Sequence, residues 1–152
     1  MNFEGRAHLG AGIQTVWDTL LDVNELADCL SGVEEVQQID ADTFDGVIRA
    51  SVGPISGKFT LRAHITDRQP LRQLTVRVEG TDSVTKSTLT QTVVLSLSPL
   101  GERETELTHT ATVDIKGRLA LLGDMVLRAT AAVMLDEFTK RLRAKVEAKT
   151  SQ

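Results

Sequence analysis

One cysteine, three prolines, one tryptophan, four phenylalanines and no tyrosine are spread through 152 residues. A lone Cys29 cannot close an internal disulfide, which excludes a disulfide-stapled scaffold and suits a reducing compartment or indifference to redox state. A small buried hydrophobe is the better reading of Cys29 than a nucleophile, because no histidine partner is evident. The formal charge is −4 and no basic stripe is interleaved with aromatics, so nucleic acid is not an expected partner. Histidine, cysteine and acidic residues nowhere gather at ligand spacing, which gives no case for a metal site, and no cofactor is expected. GPISG at residues 53–57 lies between two alternating runs rather than before a helix, so it reads as a hairpin turn and not a phosphate loop. No signal-peptide pattern is present and no apolar run is long enough to span a bilayer. The expected location is cytoplasmic, extending to a peripheral one at the inner membrane face.

What is present is a chain 41% hydrophobic and 25% charged, which suits a single domain over residues 1–152 with a sizeable core. Residues 3–9 alternate, with Phe3, Gly5, Ala7 and Leu9 on one face and Glu4, Arg6 and His8 on the other, as in a half-buried strand. Ile13, Val16, Trp17, Leu20 and Leu21 follow at helical spacing, and residues 23–30 repeat that spacing in a second short helix. Period two then returns over residues 33–39, 44–52, 58–67, 73–79, 87–97 and 104–116. Hairpin-length connections between those six runs impose an antiparallel meander, since parallel neighbours need long crossovers. Threonines 88, 90, 92 and 108, 110, 112 mark the wet face, with Leu89, Val93, Leu95 and Leu107, Ala111, Val113 on the other. The last segment turns over at Gly117 and is expected to run to Lys145 as a helix, apolar almost all round in its first half. Its later apolar positions narrow to one stripe continuing Leu127, Ala131, Met134 or Leu135, Phe138, Leu142 and Val146.

Seven strands at roughly 4.8 Å each make a sheet about 30 Å wide, whereas one helix with its side chains is about 10–12 Å across. A single helix cannot cover such a sheet if it is flat, so the sheet is expected to curl around the helix, with the two short helices closing one end. The space between need not be filled. A solid core is one reading; a hollow is the other, favoured by few large side chains and by Gly5, Ala7, Gly46, Ala50, Ala63 and Ala111 at inward strand positions. In the hollow reading, Ala129 and Ala132 keep the space open.

The order strand, two short helices, six strands and long helix resembles the helix-grip fold of the START and birch-pollen-allergen type (SRPBCC) superfamily, of class α+β. Within it the chain is similar to the CoxG family of carbon monoxide dehydrogenase subunits. The likeness is carried by FEG at residues 3–5, VWDTLLDVNELADCLSG at 16–32, SVGPISGKF at 51–59 and VDIKGRLALLG at 113–123. Ala11-Gly12 stands where the family usually has Ala-Pro, Cys29-Leu30-Ser31-Gly32 where it has Cys-Ile-Pro-Gly, and His109 where it often has an aromatic residue. Many members carry a C-terminal extension associated with membrane attachment, whereas this sequence ends at Gln152. The resemblance implies an accessory role beside a molybdenum-containing carbon monoxide dehydrogenase type enzyme, its recruitment to the membrane, and a quinone or lipid held in an apolar cavity.

The strand positions expected to line that cavity are Phe44, Ile48, Phe59, Leu61, Val76, Gln91, Val93 and His109, with Met125, Val126, Ala129 and Val133 from the helix. His8 and His64 fall on the wet face. His109 falls on the inward face, and a turn at Pro99-Leu100-Gly101 would bring it near Gln91, giving an apolar pocket one polar handle. A core histidine bonded to backbone is an equal reading, and a small cyclase- or hydrolase-type enzyme using His109 is the alternative function. Lys140, Arg141, Arg143, Lys145 and Lys149 form either a solvated helix end matched to the helix dipole or a patch for peripheral membrane or protein contact.

Overall fold

The computed structural model describes residues 1–150; the last two residues of the expected 1–152 domain lie outside that range. Strand β1 (Asn2–Leu9) leads to helices α1 (Ile13–Leu21) and α2 (Val23–Asp28). Strands β2 (Val33–Gln38), β3 (Thr43–Val52), β4 (Ile55–Gln69), β5 (Gln73–Asp82), β6 (Ser87–Gly101) and β7 (Glu104–Lys116) follow, and a 3₁₀ turn (Arg118–Leu122) precedes α3 (Asp124–Thr150). The sheet order β1-β7-β6-β5-β4-β3-β2 is antiparallel throughout, a meander whose first strand returns beside the last. Asp22 separates the two short helices by capping the second: its carboxylate accepts from the Asn24 and Glu25 N–H groups at 3.0 and 3.1 Å.

Strands β4, β5 and β6 run beyond the expected 58–67, 73–79 and 87–97, so only Gly53 and Pro54 of residues 53–57 form the turn, and α2 stops at Asp28 rather than at residue 30. Three further differences bear on the site. The helix does not begin at Gly117; the chain passes Gly117 at φ 95°, makes one 3₁₀ turn, and passes Gly123 at φ 85° before α3 starts. Glycine is required at Gly117 because a Cβ there would strike the Lys86 carbonyl. At its far end α3 continues past Lys145 to Thr150, because Val146 is still buried and Lys149 still reaches the short helices, at Thr19 and Glu25. Pro99 does not sit in a turn either. It lies inside β6 at a bulge against β7, where a missing N–H is tolerated, and the chain reverses at Glu102 and Arg103.

Helix α3 runs alongside β1 in the same direction. Arg128 Nη1 donates to the Asn2 carbonyl at 3.3 Å, Arg143 Nε to the His8 carbonyl at 3.1 Å, and the Gly10 N–H to Glu147 Oε2 at 2.9 Å. The helix also approaches β3 across the concavity, so it bridges the two flanks of a curled sheet. The buried side chains form two separate clusters. One joins Leu9, Val16, Trp17, Leu20, Cys29, Leu95, Leu107, Leu142 and Val146 beneath the short helices; the other joins Val52, Phe59, Leu119 and Leu127 at the opposite end.

Candidate functional site

Between those clusters the concave face is apolar yet incompletely covered. Ile48, Ala63, Val78, Gln91, His109 and Val113 point inward with the buried positions of their strands but remain half-buried and belong to neither cluster. Interiors are normally packed to crystal-like density, so a row of inward side chains still reached by solvent marks a hollow. Opposite this row α3 presents Thr130, Ala131, Met134 and Phe138, all half-buried, along the line from Leu127 to Leu142. Where the hollow opens, a groove of about 370 Å³ lies between Ser31, Arg49, Ala50 and Ser51 on one side and Ala129, Thr130, Val133 and Met134 on the other. A second groove of about 590 Å³ lies at the other end of the molecule, among Ile13, Leu71, Arg72, Ser98 and Pro99, away from this row.

The expected lining residues separate into four groups. Ile48, Gln91 and His109 face the hollow directly; Phe44, Val76 and Val93 border it from the first cluster, and Leu61 and Val126 from the second. Phe59 is closed into the second cluster at 8% exposure, so it is core rather than free lining. Three helix residues do not face the sheet. Met125 is 85% exposed, Val133 is 65% exposed, and Ala129 is exposed at the groove; Ala132, expected to keep the hollow open, is also outward. The physical reason is that one helix in a curled sheet buries a single stripe, and Leu127, Leu142 and Val146 already occupy it. Ala131, Met134 and Phe138 were read from the sequence as the packed stripe rather than as lining, and Thr130, on the same face, was not read at all. Ser31, Ser51 and Arg49 at the mouth carried no sequence signal, because their placement depends on how β3 meets α3.

His109 is inward, as its parity requires, and neither ring nitrogen has a hydrogen-bond partner among the described residues. Its Nε2 is buried, and the ring covers Gly5 so closely that a Cβ there would collide with it. Burial pushes the imidazole pKa down, which favours the neutral ring. A core histidine bonded to backbone is therefore not what the structure holds. The expected neighbourhood with Gln91 is corrected: His109 pairs with Leu95 and Gln91 with Val113, so the two lie four residues apart, about 13 Å along the strands. Moving the turn from Pro99-Leu100-Gly101 to Glu102 and Arg103 slid the register by four residues, which preserves each side chain's face and changes its neighbours.

His8 and His64 are exposed, and Cys29 is fully buried with its thiol donating to the Glu25 carbonyl at 3.4 Å. The basic residues at the end of α3 are largely matched by acids. Lys140 pairs with Asp136, Arg141 with Glu137, Lys145 with Asp28 and Lys149 with Glu25, at 2.7–3.2 Å. No helix among the described residues is long and apolar enough to cross a membrane.

A family model for CoxG, described as a carbon monoxide dehydrogenase subunit, matches residues 5–147. Among curated proteins none matches the sequence. Among solved structures, a conserved protein from Geobacillus kaustophilus superposes with a TM-score of 0.90 at 22% identity, over 97% of this chain and 96% of that one. The Zhui aromatase/cyclase from Streptomyces sp. R1128 gives 0.76 at 15% identity, over 99% and 95%. A START superfamily protein from Mycobacterium smegmatis gives 0.74 at 15% identity, over 97% of both chains. At these identities the likenesses establish the START-type helix-grip fold and nothing of what the chain binds.

Proposed function

From the premise that this chain belongs to the CoxG family of carbon monoxide dehydrogenase subunits, we propose that it is a non-catalytic binding module. It holds a hydrophobic small molecule, a lipid or a quinone-like compound, in the hollow between the sheet and α3. The observation that carries this reading is the half-buried apolar row between two separate core clusters, with His109 as a neutral polar group without a partner in its wall. An apolar cavity with one or two polar groups selects a largely apolar ligand carrying a carbonyl or hydroxyl. Family membership supports the further reading that the module serves a molybdenum-containing dehydrogenase at the inner face of the membrane.

The test is displacement of a fluorescent apolar probe by quinones and by fatty acids. Displacement by either class is the expected result; no displacement by any apolar compound would overturn the reading. The enzymatic alternative draws on the fold shared with the Zhui aromatase/cyclase and on the unpartnered imidazole. His109→Gln separates the two. A carrier should retain binding within about 10-fold, whereas a general base should lose turnover by about 100-fold or more.

A further inference from the structure

Two polar side chains face the hollow with no hydrogen-bond partner among the described residues. His109 is one. Gln91 is the other: it shares the inward face of β6 with Leu89, Val93 and Leu95, it is half-buried, and its amide bonds to no described residue. A glutamine amide carries two donors and an acceptor oxygen, and polar groups drawn into an apolar wall are normally paired. Two unpaired ones on the same wall leave their bonding capacity to something that enters the hollow.

They stand at opposite ends of it. His109 pairs with Leu95 and follows Leu107 on the same face of β7, so it lies beside the first core cluster. Gln91 pairs with Val113 and adjoins Leu89 and Ile115, which pack against the second. Val93 and Ala111, themselves a cross-strand pair, lie between. The register that separates His109 from Gln91 by four residues thus sets one polar group at each end, about 13 Å apart at the backbone. Both point into the concavity of a curled sheet, so their tips converge. Either can donate to a carbonyl. Gln91 does so through its NH2 group. In His109, Nε2 is shut in over Gly5, which leaves Nδ1 for a ligand, and the neutral ring can carry its proton there.

We propose that the hollow takes a rigid, fused-ring ligand with a hydrogen-bonding oxygen at each end, one met by His109 and the other by Gln91. This deepens the proposed binding function and rests on it. A chain molecule with a single polar head would satisfy one side chain and close the other off from water without a partner, which is the costly case. A ring frame instead holds its two oxygens at a fixed separation, so little freedom is lost when both are engaged. Its flat body would lie on Val93 and Ala111, with Met134 and Phe138 of α3 opposite, an adaptable thioether and an aromatic face suited to fused rings.

The experiment is displacement of the fluorescent apolar probe from the full chain by androstenedione, a four-ring diketone with a carbonyl at each end. The comparison compounds are the two monoketones that each lack one of those carbonyls, and palmitate. The diketone is expected to bind about 10-fold more tightly than either monoketone. In Gln91→Leu one carbonyl should become dispensable, so that the diketone and one monoketone bind alike; in His109→Leu it should be the other carbonyl. The comparison on the parent protein stands even if a variant fails to fold. Equal binding of the diketone and both monoketones, or tighter binding of palmitate than of the diketone, would overturn the two-ended ligand and leave the binding function in place. So would a preference that is unchanged in both folded variants, or the same carbonyl becoming dispensable in both. Displacement by no apolar compound at all would overturn the binding function and this inference with it.

Discussion

Gly5 and His109 face each other across the β1–β7 ladder, and the ring occupies the space a side chain at Gly5 would need. Gly5→Ala is expected to cost about 1–3 kcal/mol by forcing the ring from its place. The same change in a His109→Ala background should cost less, a coupling that a double-mutant cycle by urea denaturation would read. Equal costs in the two backgrounds would show that the ring moves freely. His109 also predicts a pH dependence. Its pKa lies below the ordinary 6.5 because burial disfavours the charged ring. Below about pH 6.5 the unfolded chain takes up a proton that the folded protein resists, so stability falls as the pH drops through that window and is unaffected above it. His109→Gln should flatten the loss of urea midpoint between about pH 6.5 and 5.

At the scale of the element, α3 has two apolar faces in its first half and buries only one. Leu142 is fully buried, and Leu142→Ala should cost about 2–5 kcal/mol through the cavity it leaves. Met125→Ala, on the exposed stripe, should change stability by no more than about 0.5 kcal/mol. A large cost at Met125 would mean that the stripe is covered by another part of the molecule. The junction before α3 is sensitive for a different reason. Gly117 holds a positive φ at a place where a Cβ would meet the Lys86 carbonyl, so Gly117→Ala combines backbone strain with a backbone clash. Thermal unfolding should register it as destabilising by about 1–3 kcal/mol, whereas Gly123, with open space around it, meets the strain without the clash and should cost less.

For the whole molecule, the decisive property is that its core is divided. A helix bridging β1 and β3 leaves the middle strands without a close partner, and the first and second clusters seal only the two ends. Ala63 faces the unsealed stretch, paired with Phe44 on β3 and Val78 on β5. Ala63→Leu should therefore be accommodated at a cost below the roughly 1–3 kcal/mol of overpacking a filled core, and should reduce probe binding by occupying the hollow. Unfolding of this variant would mean that the core is solid.

How much of this was legible beforehand depends on the range of the interaction that decides it. Alternation along residues 33–116 determined the strands, their faces and the inward parity of His109, because side-chain direction in a strand has period two whatever its neighbours do. The stripe from Leu127 through Leu142 and Val146 likewise determined which face of α3 would be buried. The neighbours of His109 were decided only by tertiary structure, since a turn displaced to Glu102 and Arg103 changes the register by four residues without disturbing the pattern. The exposure of Met125, Ala129 and Val133 was decided there too. An apolar residue carries no mark of whether its surroundings are a strand, a ligand or solvent; the curl of the sheet placed α3 with one face inside and the other exposed.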